Sequence, residues 1–182
     1  MKKIIGLVGT NSEQSTNRQL LQFMQHYFAQ EADIELVEIV DFPMFNKPED
    51  KVLPEIVKTV AEKIEAADGV IISTPEYDHA VPASLMNALS WLSYGIFPFV
   101  DKPVMITGAS YGTLGSSRAQ AHLRQILDAP ELKARIMPSS EFLLAHSLQA
   151  FDENNALKDS EQLKHAHAQN KKEAENFSWE TI

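Results

Sequence analysis

The chain has 182 residues, 44% of them hydrophobic, enough for a buried core without cross-links, and a formal net charge of −9. The absence of cysteine excludes disulfides, thiolate metal sites and cysteine nucleophiles, and the acidic balance argues against a nucleic-acid partner, whose phosphates demand Lys and Arg. No apolar run approaches the roughly 18 residues of a membrane-spanning helix, and Met1-Lys2-Lys3 leads into a short strand pattern rather than a signal peptide, so a cytoplasmic setting is expected.

Lys3-Ile4-Ile5-Gly6-Leu7-Val8 is nearly all apolar and β-branched, the pattern of a parallel strand covered on both faces. It stops at Gly9, polar residues run to Asn17, and Leu20, Leu21, Met24 and Phe28 then recur at helical spacing. Ile34 to Ile39 reads as a second strand and Leu53 to Ala67 as a helix with Ile56, Val60 and Ile64 on its buried side. The connection from Asp41 to Pro48 is too apolar for a plain linker and is expected near the site or at a subunit contact. Gly69-Val70-Ile71-Ile72-Ser73 predicts a third strand, followed by the loop Thr74 to Ala80 and a helix from about Pro82. Lys102 to Thr107 predicts a fourth, leading through Gly108 to Gly115 into a helix over Ser116 to Leu127. For the fifth strand Ala134 to Met137 competes with Phe142-Leu143-Leu144, and Asp159 to Asn176 is charged and helix-compatible, a C-terminal tail reaching to about residue 177.

Strands alternating with helices at this spacing imply an α/β fold with right-handed crossovers. Five such units fit one domain over 1–182, a three-layer, doubly wound, flavodoxin-like sandwich with a five-stranded parallel sheet in the order 2-1-3-4-5. Ligands of such sheets lie at the carboxyl ends of the strands, so the loops Gly9 to Asn17, Thr74 to Ala80 and Gly108 to Gly115 are expected to converge.

Thr10, Asn11, Ser12, Ser15, Thr16 and Asn17 place hydroxyl and amide groups at a strand-to-helix turn, where free backbone N–H groups and the helix dipole favour an anion. The same residues also suit ordinary helix capping. Neither G-x-x-x-x-G-K-[ST] nor G-x-G-x-x-G is present, which argues against a P-loop nucleotidase and a dinucleotide-binding Rossmann domain.

Three stretches together resemble the NADPH-dependent FMN reductase family, which includes quinone, azo-dye and chromate reductases. They are Gly9-Thr10-Asn11-Ser12 continuing to Ser15-Thr16-Asn17-Arg18; Thr74-Pro75-Glu76-Tyr77 with Pro82, Leu85, Asn87, Ala88 and Trp91; and Lys102-Pro103 through Gly108-Ala109-Ser110-Tyr111-Gly112 to Arg118-Ala119-Gln120. The resemblance covers about the first 127 residues and implies a non-covalent FMN with NADPH or NADH as co-substrate. It implies phosphate binding by Thr10, Ser12, Ser15, Thr16 and Asn17, a ring wall of Pro75, Glu76, Tyr77 and Asp78, and a pyrimidine edge near Ser110 and Gly112. It also implies a homodimer or homotetramer that passes hydride to a small acceptor, a quinone, azo compound, metal oxyanion or free flavin. A flavin carries this chemistry in its own ring, so no catalytic side chain is expected. The sequence departs from the family in lacking a basic residue near Ser12 and in having Asp78 where Asn is common.

Side-chain readings remain open beside this. Arg118 suits a nucleotide phosphate, an interface or a solvated helix face, and Trp91, Leu92, Tyr94, Phe97 and Phe99 read as helix core and subunit interface rather than a substrate cage. His26, His79, His122 and His146 show no metal-ligand spacing, and only His79 falls in a site loop. Gly108 to Gly112 also satisfies G-x-S-x-G, which raises a serine hydrolase built from Ser110, Asp152 and His165 or His167. A non-catalytic flavodoxin-type electron carrier is the other alternative.

Overall fold

The computed structural model describes residues 1–138 and 142–158; the expected tail helix over 159–177 lies outside them. Along the chain run β1 (Lys2–Val8), α1 (Thr16–Tyr27), β2 (Ala32–Val37), α2 (Glu55–Ala66), β3 (Gly69–Ser73), α3 (Ala83–Trp91), β4 (Pro103–Ala109), α4 (Ser117–Leu127), β5 (Arg135–Ile136), β6 (Phe142–Leu144) and the short α5 (Ser147–Ala150). All strand pairs are parallel, in the order β2-β1-β3-β4-β5. This is the flavodoxin-like arrangement expected from the sequence.

The edge beyond β4 differs from expectation. Both rival segments are strands: β5 pairs with Pro103 and Val104, and β6 pairs with Thr107 to Ala109 further along the same edge. The fifth position is therefore filled by two pieces, making a six-stranded sheet. Met137 still donates its N–H to the Val104 carbonyl, but Pro138 has no N–H for the ladder, and the strand breaks there.

Alternation along β1 divides the core into two layers. Ile5 and Leu7 pack with Val57, Val60 and Ile64 of α2, Leu85 and Leu89 of α3, and Leu123 and Leu127 of α4. Ile4 and Val8 pack on the other face with Leu20, Leu21 and Met24 of α1, joined by Leu144 and Phe151. Lys102, at the start of the third of the stretches quoted above, serves the fold. Its ammonium donates to the carbonyls of Glu65 and Ala67, which close the end of α2.

Strand order reverses at β1, whose neighbours are β2 on one side and β3 on the other. The connections leaving β1 and β3 therefore part, and a crevice opens over their carboxyl ends. Gly9 makes the crossing possible: its N–H donates to the Ser73 carbonyl at 2.8 Å, and a Cβ there would stand 2.5 Å from that same oxygen. Any side chain would push β1 and β3 apart.

Candidate active site

All three loops border one cavity of about 710 Å³, within the range of small-molecule sites. Its walls are Gln14 to Asn17, Pro75 to His79, Ala109 to Leu114, and Arg118. Of the expected residues, Ser15, Thr16, Asn17, Pro75, Glu76, Tyr77, Asp78, Ser110 and Gly112 line it; Thr10 and Ser12 do not. Gln14, Thr113 and Leu114 are lining residues that the sequence reading did not single out, although each adjoins a residue it named.

The first loop presents backbone donors to the cavity. Ser15 is the N-cap of α1, accepting the Arg18 N–H at 3.2 Å, which leaves its own hydroxyl proton available. The N–H groups of Gln14, Ser15, Thr16 and Asn17 donate to no acceptor among the described residues. Four such donors, at the positive end of a twelve-residue helix, suit a phosphate.

Several side chains expected to bind phosphate are committed elsewhere. Asn17, 2% exposed, accepts from Ser73 Oγ and from the Ala109 N–H, both at 2.9 Å, and donates to the Ala109 carbonyl at 3.0 Å. It fastens α1 to the ends of β3 and β4. Thr16 Oγ1 pairs with Ser147 Oγ at 2.8 Å, Ser12 Oγ donates to the Gln14 carbonyl, and Thr10 Oγ1 accepts the Ser12 N–H and pairs with the Tyr77 hydroxyl at 3.2 Å. The side chains of these four hold the loop in shape.

Opposite stands the second loop. Tyr77 and Ala80 exchange both backbone hydrogen bonds, and Asp78 and His79 between them have φ of +49° and +61°. Positive φ at both central residues is the type I′ hairpin turn. Asn and Asp tolerate this left-handed region better than most residues. Tyr77 stands half exposed at the cavity rim with its hydroxyl tethered to Thr10. It also borders a second, smaller cavity of about 390 Å³, walled by Ile39, Val40, Phe42 and Met44 of the apolar connection after β2. That connection is held down by α3: Asn87 bonds the Phe45 N–H and the Pro43 carbonyl, and Trp91 Nε1 also donates to Pro43. Trp91, Leu92 and Phe99 are buried core, whereas Phe97 is exposed.

Glu76, on the cavity wall, directs its carboxylate to α4. Its Oε2 accepts the N–H of Arg118 at 3.0 Å and of Ala119 at 3.3 Å, in the first turn of α4. The N-cap residue of α4, Ser116, has φ of +67° and makes no side-chain cap, so Glu76 caps that helix from another loop. Burial pushes the Glu76 carboxyl up, but the bonds from His79, Ala119 and Arg118 outweigh it and hold it below the usual carboxylate range. The Arg118 guanidinium lies against the His79 ring along the cavity rim.

The third wall is closed by the segment after β6, since Ser110 donates its N–H to Leu144, and Ser147 and His146 donate theirs to Ser110 and Gly112. Among the described residues nothing supports the hydrolase arrangement. Ser110 is absent from the described residues with positive φ, α4 begins seven residues later, and the Ser110 hydroxyl donates to Gly112 at 3.4 Å. An elbow requires a strained turn running straight into the helix. Asp152 instead accepts the N–H of Asn154 and Ala156 in its own turn, and His165 and His167 lie outside the described residues.

A cavity with backbone donors at one end and an aromatic-edged hairpin on one wall suits a cofactor that brings its own chemistry. Comparison with known proteins gives the same class. The protein-family profile described as NADPH-dependent FMN reductase matches residues 2–149. The subunit CrdA of NADH:(hydroxy)cinnamate reductase from Vibrio ruber is 59% identical over 159 residues, 87% of this chain and 79% of that protein. Subunit 2 of the NADH-dependent flavin reductase from Lactobacillus johnsonii is 42% identical over 84% of each chain. Among solved structures, the flavoenzyme NAD(P)H:(acceptor) oxidoreductase FerB from Paracoccus denitrificans superposes with a TM-score of 0.84 at 25% identity, covering 96% of both chains. The chain belongs to the NADPH-dependent FMN reductase family of flavodoxin-like oxidoreductases.

Proposed function

We propose that the chain is an FMN-dependent NAD(P)H oxidoreductase, acting by two half-reactions on a small acceptor such as a quinone, azo compound, metal oxyanion or free flavin. The observation that carries this reading is the set of four N–H groups from Gln14 to Asn17, without an acceptor among the described residues, at one end of a cavity walled by Pro75 to Asp78 and Ser110 to Gly112. When bound, FMN supplies the hydride and electron transfer in its own ring. Those N–H groups and the Ser15 hydroxyl would hold the phosphate, while Thr10, Ser12, Thr16 and the Asn17 side chain keep the loop in shape. Pro75, Glu76, Tyr77 and Asp78 would present the ring wall through their backbone, the Glu76 carboxylate being turned to α4 and so kept off an electron-rich ring. Ser110 and Gly112 would meet the polar edge of the ring. Arg118, the cation on the cavity wall, is placed for a nucleotide phosphate.

Both relatives named above carry NADH in their names, which favours NADH as the donor, and both are named as subunits. That second fact supports another route for the electrons, to a partner subunit rather than a diffusing acceptor. The proposal extends to a homodimer or homotetramer in the cytoplasm; no described helix is long and apolar enough to cross a membrane. Titrating FMN into purified protein, then following NADH consumption with and without a quinone, tests the reading. One FMN per chain and quinone-dependent oxidation are expected; a protein that neither retains FMN nor oxidises a nicotinamide nucleotide contradicts it.

A further inference from the structure

Arg18 lies next to the phosphate loop but not on the cavity wall, and it makes four side-chain hydrogen bonds. Nε and Nη2 grip Glu38 Oε1 and Oε2 at 2.6 and 2.9 Å, a two-pronged pair with the residue that follows β2. Nη1 turns to the loop and donates to two successive carbonyls, Ser12 at 2.9 Å and Glu13 at 3.0 Å. In a planar trans peptide the carbonyl and the following N–H point in opposite directions. Drawing the Ser12 and Glu13 carbonyls toward Arg18 therefore aims the N–H groups of Glu13 and Gln14 the other way, and the Gln14 N–H, at the cavity border, has no acceptor among the described residues.

From this geometry, and resting on the flavin reading above, we propose that Arg18 is a positioning residue that makes the site select FMN over riboflavin. It does so without touching the ligand, by fixing the peptide orientation of the loop against the end of β2. Glu38 cancels its charge, so the device works by orientation rather than by attraction. This also explains how a first loop without a basic residue near Ser12 remains a phosphate site: the cation sits behind the loop. Lysine is no substitute, because one ammonium cannot span the carboxylate and both carbonyls as the fork does.

The test measures dissociation constants for FMN and for riboflavin by quenching of flavin fluorescence, in the full chain and in Arg18→Lys and Arg18→Met. Wild type is expected to bind FMN more tightly than riboflavin. Arg18→Met is expected to lose FMN affinity about tenfold or more, as for misplacing one or two hydrogen bonds to a charged group, while riboflavin affinity stays within about twofold. Arg18→Lys is expected to fall close to Arg18→Met, and it decides the matter alone if the methionine variant does not fold. Equal losses for both flavins, no loss for either, or full FMN affinity in Arg18→Lys would each overturn the proposal. Wild-type protein that binds both flavins equally refutes the phosphate-site reading itself, a pattern distinct from any failure of the variants.

Discussion

The capping of α4 by Glu76 yields a prediction with a worked magnitude. The carboxylate accepts two N–H groups of the first turn of a helix whose own N-cap residue offers none, and its side chain is 11% exposed. Glu76→Ala removes the cap and strands both donors at a partly buried site. A lost cap costs about 1 kcal/mol, and unpaired donors bring the total to about 2 kcal/mol. Glu76→Gln keeps an acceptor and loses the charge facing the helix dipole and Arg118, about 1 kcal/mol. For a chain of this length each kcal/mol moves Tm by about 2–4 °C, so Gln should lower it by about 2–4 °C and Ala by about 4–8 °C. The sign of the pH dependence follows from a carboxyl held below its ordinary range when folded. The charge stabilises the fold fully above about pH 4.3, and that contribution disappears as the pH falls through the lower, folded-state value. Thermal melts of the flavin-free proteins should therefore show the gap between wild type and Glu76→Gln constant near neutral pH and closing in acid. An Ala variant as stable as wild type, or a Gln variant with a gap that widens in acid, refutes the cap.

Other predictions concern the same loops. Asn17→Ala strands the Ala109 N–H and carbonyl and the Ser73 hydroxyl in a buried setting and should destabilise by about 3 kcal/mol, read by denaturant unfolding; a loss below about 1 kcal/mol contradicts the clamp. Asp78→Asn relieves a left-handed position and removes a negative charge from the cavity wall, so FMN should bind a few-fold more tightly by fluorescence titration, and weaker binding speaks against a ring wall there. No hydrolysis of an activated ester is expected from wild type, and an esterase activity that vanishes in Ser110→Ala would restore the hydrolase.

The loops were legible because their composition states their role locally. Gly9 ends a strand, Ser15 caps a helix, and Pro75 and Pro82 bracket a stiff turn, all within reach of neighbouring residues. What escaped the sequence depends on distant partners. Glu76 and α4 are 42 residues apart at Arg118, and Thr16 meets Ser147 across 131 residues, so no local pattern announces either bond. Asn17 reads as a ligand donor in sequence and serves as an internal clamp, because its side chain turns toward β3 and β4 and leaves only its N–H at the cavity. The hairpin at Tyr77 to Ala80 was hidden because Asp78-His79 lacks the Asn-Gly signature of its turn. The edge strands were ambiguous for a further reason. Two and three residues are too few to carry a period, and Pro138, without an N–H, cannot extend the first piece.

A flavin held by the first loop and reduced by a nicotinamide nucleotide is the central claim, and one anaerobic spectrum addresses both halves of it. Protein reconstituted with FMN and desalted should remain yellow, and its visible absorption should bleach on addition of NADH or NADPH. A colourless protein after desalting, or a yellow one inert to both nucleotides, would contradict that claim.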